Sequence, residues 1–184
     1  MKKVLTLLLI LVMTLSMAAC GGSTGEAGEI KDSLNLLETV WASYGEEELF
    51  PVGGGDSANM NWEGPGKFDV SVVDELTATF AVDADMAAQL DDAATLMHAM
   101  MANNFACGVY HVADEANVDG FADALYANLK AVRWMCGQPD VLAIYTVDGY
   151  VIGVYGLTDL VDTFEGHLQD AYASVEVVYS EAIA

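Results

Sequence analysis

The sequence predicts an α+β domain of two layers, an antiparallel sheet of about four strands in two hairpins with helices on one face. Three observations carry this. The stretch "VLAIYTVDGYVIGVYG", residues 141–156, places two apolar runs around Asp148-Gly149, a pair suited to a two-residue type I′ turn. The stretch "FACGVYHVA", residues 105–113, reads as a strand entered from the Asn103-Asn104 pair, whose residues tolerate positive φ. Amphipathic helical stripes follow each hairpin.

Taken in order, residues 1–19 read as a leader. Lys2 and Lys3 precede an apolar run, Val4 to Leu15, that is too short for a permanent membrane span. The run leads into "SMAAC", where Cys20 follows two small residues and Met17 stands where leucine is usual. This junction resembles a bacterial lipobox, and the resemblance implies cleavage before Cys20 and a diacylglycerol anchor on that residue. Residues 20–28 then read as a flexible Gly/Ser tether, and residues 29–184 as a single domain. The expected location is the outer face of a bacterial cell membrane.

Within the domain, Ile30, Leu34, Leu37, Trp41 and Tyr44 form one helical stripe. Residues 45–70 read as a long Gly/aromatic loop containing "GGGDSANMNWEGPG". A short helix is expected over Val72 to Phe80, and another after Asp83, a good N-cap. The stretch "DDAATLMHAMMANN", 91–104, has helix-favouring composition, but the turn pair at its end makes it the first arm of a hairpin. A helix over about 117–134 turns Phe121, Leu125, Leu129 and Val132 inward, with Asn117 or Asp119 as its cap, and Gly137 and Pro139 stop it. A last helix begins near Thr158, an N-cap candidate, with Leu160, Phe164, Leu168 and Ala171 on one face.

The segments "FACGVYHVADEANVDGFADALYANL", "WMCGQPD" and "VDGYVIGVYG" resemble a family of uncharacterised small lipoproteins of Gram-positive anaerobes, over roughly residues 91–170. The resemblance implies a lipid-anchored surface protein and supplies no mechanism.

The formal charge is −22, and the leader holds two of the six basic residues and none of the 28 acids. A field of that sign repels nucleic acid and favours cations, cationic peptides or basic protein surfaces. In the loop, three successive glycines lack the strand before and the lysine after that a phosphate cradle needs. Folding of Phe50, Trp62 and Phe68 over the domain explains them; a ligand lip is the sharper alternative. As a lip, Trp62 would stack on a sugar or cationic peptide while Asp56, Asn59, Asn61 and Glu63 supply polar contacts. The stretch from Glu115 to Tyr126 approaches a calcium loop but ends in tyrosine where a bidentate glutamate is required.

In "LMHAMM", Met97, His98, Met100 and Met101 are candidate ligands for a soft metal, with methionine as core filler the ordinary alternative. On a strand the set would split, Met97 and Met101 on one face, His98 and Met100 on the other. Cys107 and Cys136 form an even pair outside the cytoplasm, open to a disulfide or to two buried thiols. No nucleophile elbow, HExxH or cofactor motif is read. The functional expectation is a non-catalytic binding or adaptor lipoprotein; the alternatives are a metal-binding lipoprotein and a structural subunit of a membrane complex.

Overall fold

The computed structural model describes residues 29–135 and 137–183. The leader, Cys20 and the tether therefore lie outside the described residues. Among the described residues, an open antiparallel sheet of seven strands and five helices form the fold. Helices are α1 (Ser33–Trp41), α2 (Val73–Phe80), α3 (Ala84–Ala87), α4 (Val118–Ala131) and α5 (Thr158–Ala171). Strands are β1 (Val52–Gly53), β2 (Gly66–Lys67), β3 (Leu90–His98), β4 (Phe105–Val112), β5 (Val141–Val147), β6 (Tyr150–Gly156) and β7 (Glu176–Ala182). The sheet order is β1-β3-β4-β6-β5-β7, with β2 also paired to β3.

The two expected hairpins are present, as β3–β4 and β5–β6. Asp148 and Gly149 both take positive φ, 45° and 86°, as a type I′ turn requires. Asp83 caps α3 through its side chain. The sheet is larger than four strands because both ends are extended. β7 adds to β5, and β1 and β2 add to β3.

The helices cover both faces rather than one. Along β4, Phe105, Cys107 and Val109 join Leu36, Leu37 and Val40 of α1 and Phe164 and Leu168 of α5. The alternate residues Ala106, Tyr110 and Val112 join Leu76 and Phe80 of α2, Met86 of α3, and Phe121 and Leu125 of α4. The expected two layers are thus three. The cause is visible in β6, where every residue is buried, so neither face is left for water.

Local details also shift. Helix α1 buries Leu36, Leu37 and Val40; of the expected stripe only Leu37 is buried, and Ile30, Leu34, Trp41 and Tyr44 pack half-covered against the same core. Asn117 stands at the N-cap position of α4, as expected, but makes no side-chain cap bond; Asp114 instead caps the short turn before it, accepting from Ala116 N. Thr158 is the first residue of α5, and its N–H is received by Asp140 from across the chain, at 3.2 Å.

Because both faces are core, Phe121→Ala and Phe164→Ala should each cost about 3–5 kcal/mol. Urea unfolding of the two variants checks this. A two-layer domain would lose stability in only one of them.

Candidate functional site

The loop 45–70 is an edge strand with an excursion in its middle. β1 pairs with Met97 and His98 of β3, and β2 pairs, in the same direction, with Ala94 and Thr95. The chain leaves the edge after Gly54 and rejoins it at Gly66. The two feet touch backbone to backbone. A Cβ on Gly54 would lie 2.3 Å from Gly66 N and 2.4 Å from Thr95 O, so only glycine fits. Gly55, at φ 89°, turns the chain outward, and its N–H donates to buried Thr95 Oγ1 at 2.9 Å.

Asp56 locks the excursion. Its side chain is 1% exposed. The carboxylate accepts from Ala58 N at 2.9 Å, Asn59 N at 3.0 Å and Asn59 Nδ2 at 3.1 Å, and from Asp69 N at 3.0 Å on the returning limb. Burial is the largest influence on it and pushes its pKa up. The bonds from Asp69, Asn59 and Ala58 together outweigh burial and hold the carboxyl below its ordinary value. Asn61 closes an inner turn, donating to Pro65 O at 2.8 Å and accepting from Glu63 N at 3.1 Å.

Beside this loop opens a cleft of about 550 Å³, between the excursion, α1 and the start of β3. Asp56, Asn59, Asn61, Glu38, Asp69, Asp91 and Asp92 are its polar lining residues, and Lys67 is its single cation. Lys67 Nζ is held 3.1 Å from Asp92 Oδ1. Asp92 Oδ2 also accepts Ser33 N, at 2.7 Å, and so fixes the start of α1 on the sheet. Burial raises the Asp92 pKa, but the Ser33 N–H and Lys67 reverse the shift and keep it low.

The five residues expected as a lip are therefore divided, with Asn61 closing the inner turn. Asp56 is spent on the loop's own architecture, and Asn59 supports it from the cleft side. Trp62 is 66% exposed and looks away, over Gly53. Glu63 is exposed and lines no described cleft. Phe50 and Phe68 do fold onto the domain, whereas Trp62 does not.

The soft-ligand set divides by strand face, although Met97, His98, Met100 and Met101 all border one small cavity. Met97 packs toward the α4 face, while the His98 ring stacks on Phe50 on the other, centroids 5.5 Å apart. His98 Nδ1 accepts Met100 N at 3.1 Å. Two residues that sequence reasoning did not attach to this set, Met60 and Trp62, share a cavity of about 210 Å³ with Met97, Met100 and Met101. The β1–β3 register brings them together, and no spacing in the sequence announces it.

Cys107 is a buried thiol on the α1/α5 face, its pKa pushed well up by burial. Its expected partner, Cys136, lies outside the described residues. A second acidic opening, near the β5–β6 turn, is lined by Glu115, Asp119, Asp148 and Glu176. Among the described residues no group of three or more His, Cys, Asp or Glu side chains is arranged to hold a metal ion.

One constellation has the composition of a catalytic triad. Ser43 Oγ lies 2.9 Å from His167 Nδ1, and His167 Nε2 lies 3.0 Å from Glu48 Oε2. Ser43 sits just beyond the C-terminal end of α1, where carbonyls face outward, and its hydroxyl donates to Val40 O at 2.7 Å. The N–H groups of Ser43, Tyr44 and Gly45 already bond Val40 O, Trp41 O and Glu48 Oε2, which leaves none of them to receive an oxyanion. The arrangement braces α5 against the segment after α1, with Tyr44 stacked on His167 at 4.5 Å.

Comparison with family models, curated proteins and solved structures finds no match to this chain. Among the described residues, no helix is long and apolar enough to cross a membrane.

Asp56→Asn sets an amide against donors that a carboxylate satisfied, and should cost about 2–3 kcal/mol at neutral pH. The wild-type advantage is complete above the unfolded carboxyl's pKa of about 3.9 and is lost as pH falls through the lower folded value. Urea unfolding of both proteins across pH 2–7 reads the convergence.

Proposed function

We propose that the chain is a lipid-anchored, extracytoplasmic binding domain that holds a cationic peptide or basic protein surface in the cleft beside the loop. The carrying observation is the cleft's charge. Glu38, Asp69 and Asp91 are exposed there and Asp92 is half-buried, with the buried Asp56 carboxylate beneath, against one lysine that is already paired with Asp92. Apolar surface from Leu34, Pro65, Phe68 and Val70 lies between the acids. This mixture suits the aliphatic stem and charged head of lysine or arginine side chains. The walls are preset, since α1 is pinned by Asp92 and the loop by Asp56 and its glycine feet. Preset walls lower the ordering cost of binding. The anchor at Cys20 and the kinship with small surface lipoproteins rest on the sequence motifs "SMAAC" and "VDGYVIGVYG".

Two measurements test the parts separately. Cells fed labelled palmitate should label the protein at Cys20, and Cys20→Ser should lose the label and release the protein from the membrane fraction. Calorimetric titration with an oligolysine peptide should give binding that weakens with added salt. A Glu38→Gln/Asp91→Asn variant should lower the affinity by about tenfold, ~1.4 kcal/mol. Glu115→Gln/Asp148→Asn, in the other acidic opening, should leave it unchanged. Equal losses in both variants would mean unspecific attraction to the acidic surface and would sink the cleft reading.

A further inference from the structure

We infer that the cavity between the loop and the β3–β4 turn binds a soft monovalent metal ion of the Cu(I) class, through the thioethers of Met60, Met97, Met100 and Met101 beside the Trp62 indole. The site is independent of the acidic cleft. Its base is the pairing of Gly53 with Met97 across β1 and β3. Gly53 leaves open the space above the strand, and Met60 Sδ and the Trp62 ring occupy it. A Cβ there would lie 3.4 Å from the sulfur and 3.2 Å from ring atoms Cε3 and Cζ3. One thioether and one indole thus lie side by side next to the Met97 position. The turn after β3 brings Met100 and Met101 to the same cavity, about 210 Å³ in volume.

Met97 packs partly into the core, but core packing does not account for Met100, Met101 or Trp62. Met100 is 80% exposed, Met101 42% and Trp62 66%. Methionine and tryptophan are otherwise among the residues that fill interiors, and here they gather on one open surface. The chemistry of the lining is selective. No carboxylate or thiol contributes to it. Neutral thioethers are poor ligands for calcium, magnesium or zinc and good ones for Cu(I) and Ag(I). The indole adds attraction for a cation through its π face. The acidic surface of the protein raises the local concentration of any cation without competing for it at the cavity. His98 is not a ligand. It borders the cavity, but its ring stacks on Phe50 and its Nδ1 accepts the Met100 N–H.

Ag(I) is the redox-stable probe, added to full-length protein in detergent with methyl-labelled methionine. The expected result is stoichiometric binding that shifts the methyl signals of Met60, Met97, Met100 and Met101 and leaves buried Met86 unmoved. Trp62 fluorescence should be quenched in the same titration, and Trp62→Phe should remove that component. Met60→Leu/Met97→Leu keeps the side-chain volume and should abolish saturable binding. Met100→Leu, at an exposed position that does not bear on folding, should weaken it. Methyl signals that stay put while silver binds would assign the metal to thiols and overturn the proposal. Unchanged binding in the double variant, or no binding at all, would overturn it equally.

Discussion

The central sheet is apolar on both faces, and the placement of the helices follows from covering it twice. β4 and β6 run through the middle, and their side chains alternate between two separate cores. The face toward α4 is built from small residues as well as large ones. Ala93 and Ala106 lie there, and a Cβ on Gly153 would come within 2.8 Å of Leu125. That close approach seats α4 deep on the sheet. The opposite face carries Leu96, Phe105, Ile152 and Val154, and α1 and α5 cross it on bulkier contacts. An antiparallel sheet commonly leaves one face to water. This one has no polar face to offer.

Covering the faces leaves the two edges, and the chain treats them differently. At β7 the cover is polar and aromatic. Tyr179 stacks on Tyr126 of α4, at 3.8 Å between centroids, and its hydroxyl bonds Asp123. Lys130 reaches Glu181 at 2.8 Å. At β3 the cover is backbone, supplied by an edge strand in two pieces. Charged side chains and short strands both discourage further pairing at an edge. The interruption does more, because it forces chain outward at one point. The acidic cleft and the thioether cavity both adjoin that point.

Much of the frame was legible in the sequence. The Asp148-Gly149 turn and the strand at 90–98, despite its helix-forming composition, follow from local chemistry that tertiary contacts reinforce, whereas the helix expected to run to about 134 and stop at Gly137 and Pro139 already ends at Ala131. The third layer was not read, although a signal existed. "YVIGVYG" has no polar alternate residue, and such a run needs cover on both sides. β1 and β2 were beyond reach for a physical reason. Two-residue strands carry no periodicity, and their pairing rests on the contact of Gly54 with Gly66, which no local pattern encodes. The same limit hid Met60 and Trp62, whose neighbour Met97 arrives through the sheet register. Asp56 was noticed for its charge, but its burial reverses its role from ligand contact to loop lock.

The two feet of the excursion bear on how this surface can change over generations. Gly54, Gly66, Thr95 and Asp56 fix where the chain departs and where it returns, while residues 57–65 between them contribute little to the sheet's own hydrogen bonds. Apart from Ala58, Asn59 and Asn61, which bond Asp56 and Gly54, side chains in that span can be exchanged without sliding the register of β3 or disturbing either core. The loop is in effect a cassette on a fixed socket, a part of the molecule whose recognition can drift while its scaffold stays the same.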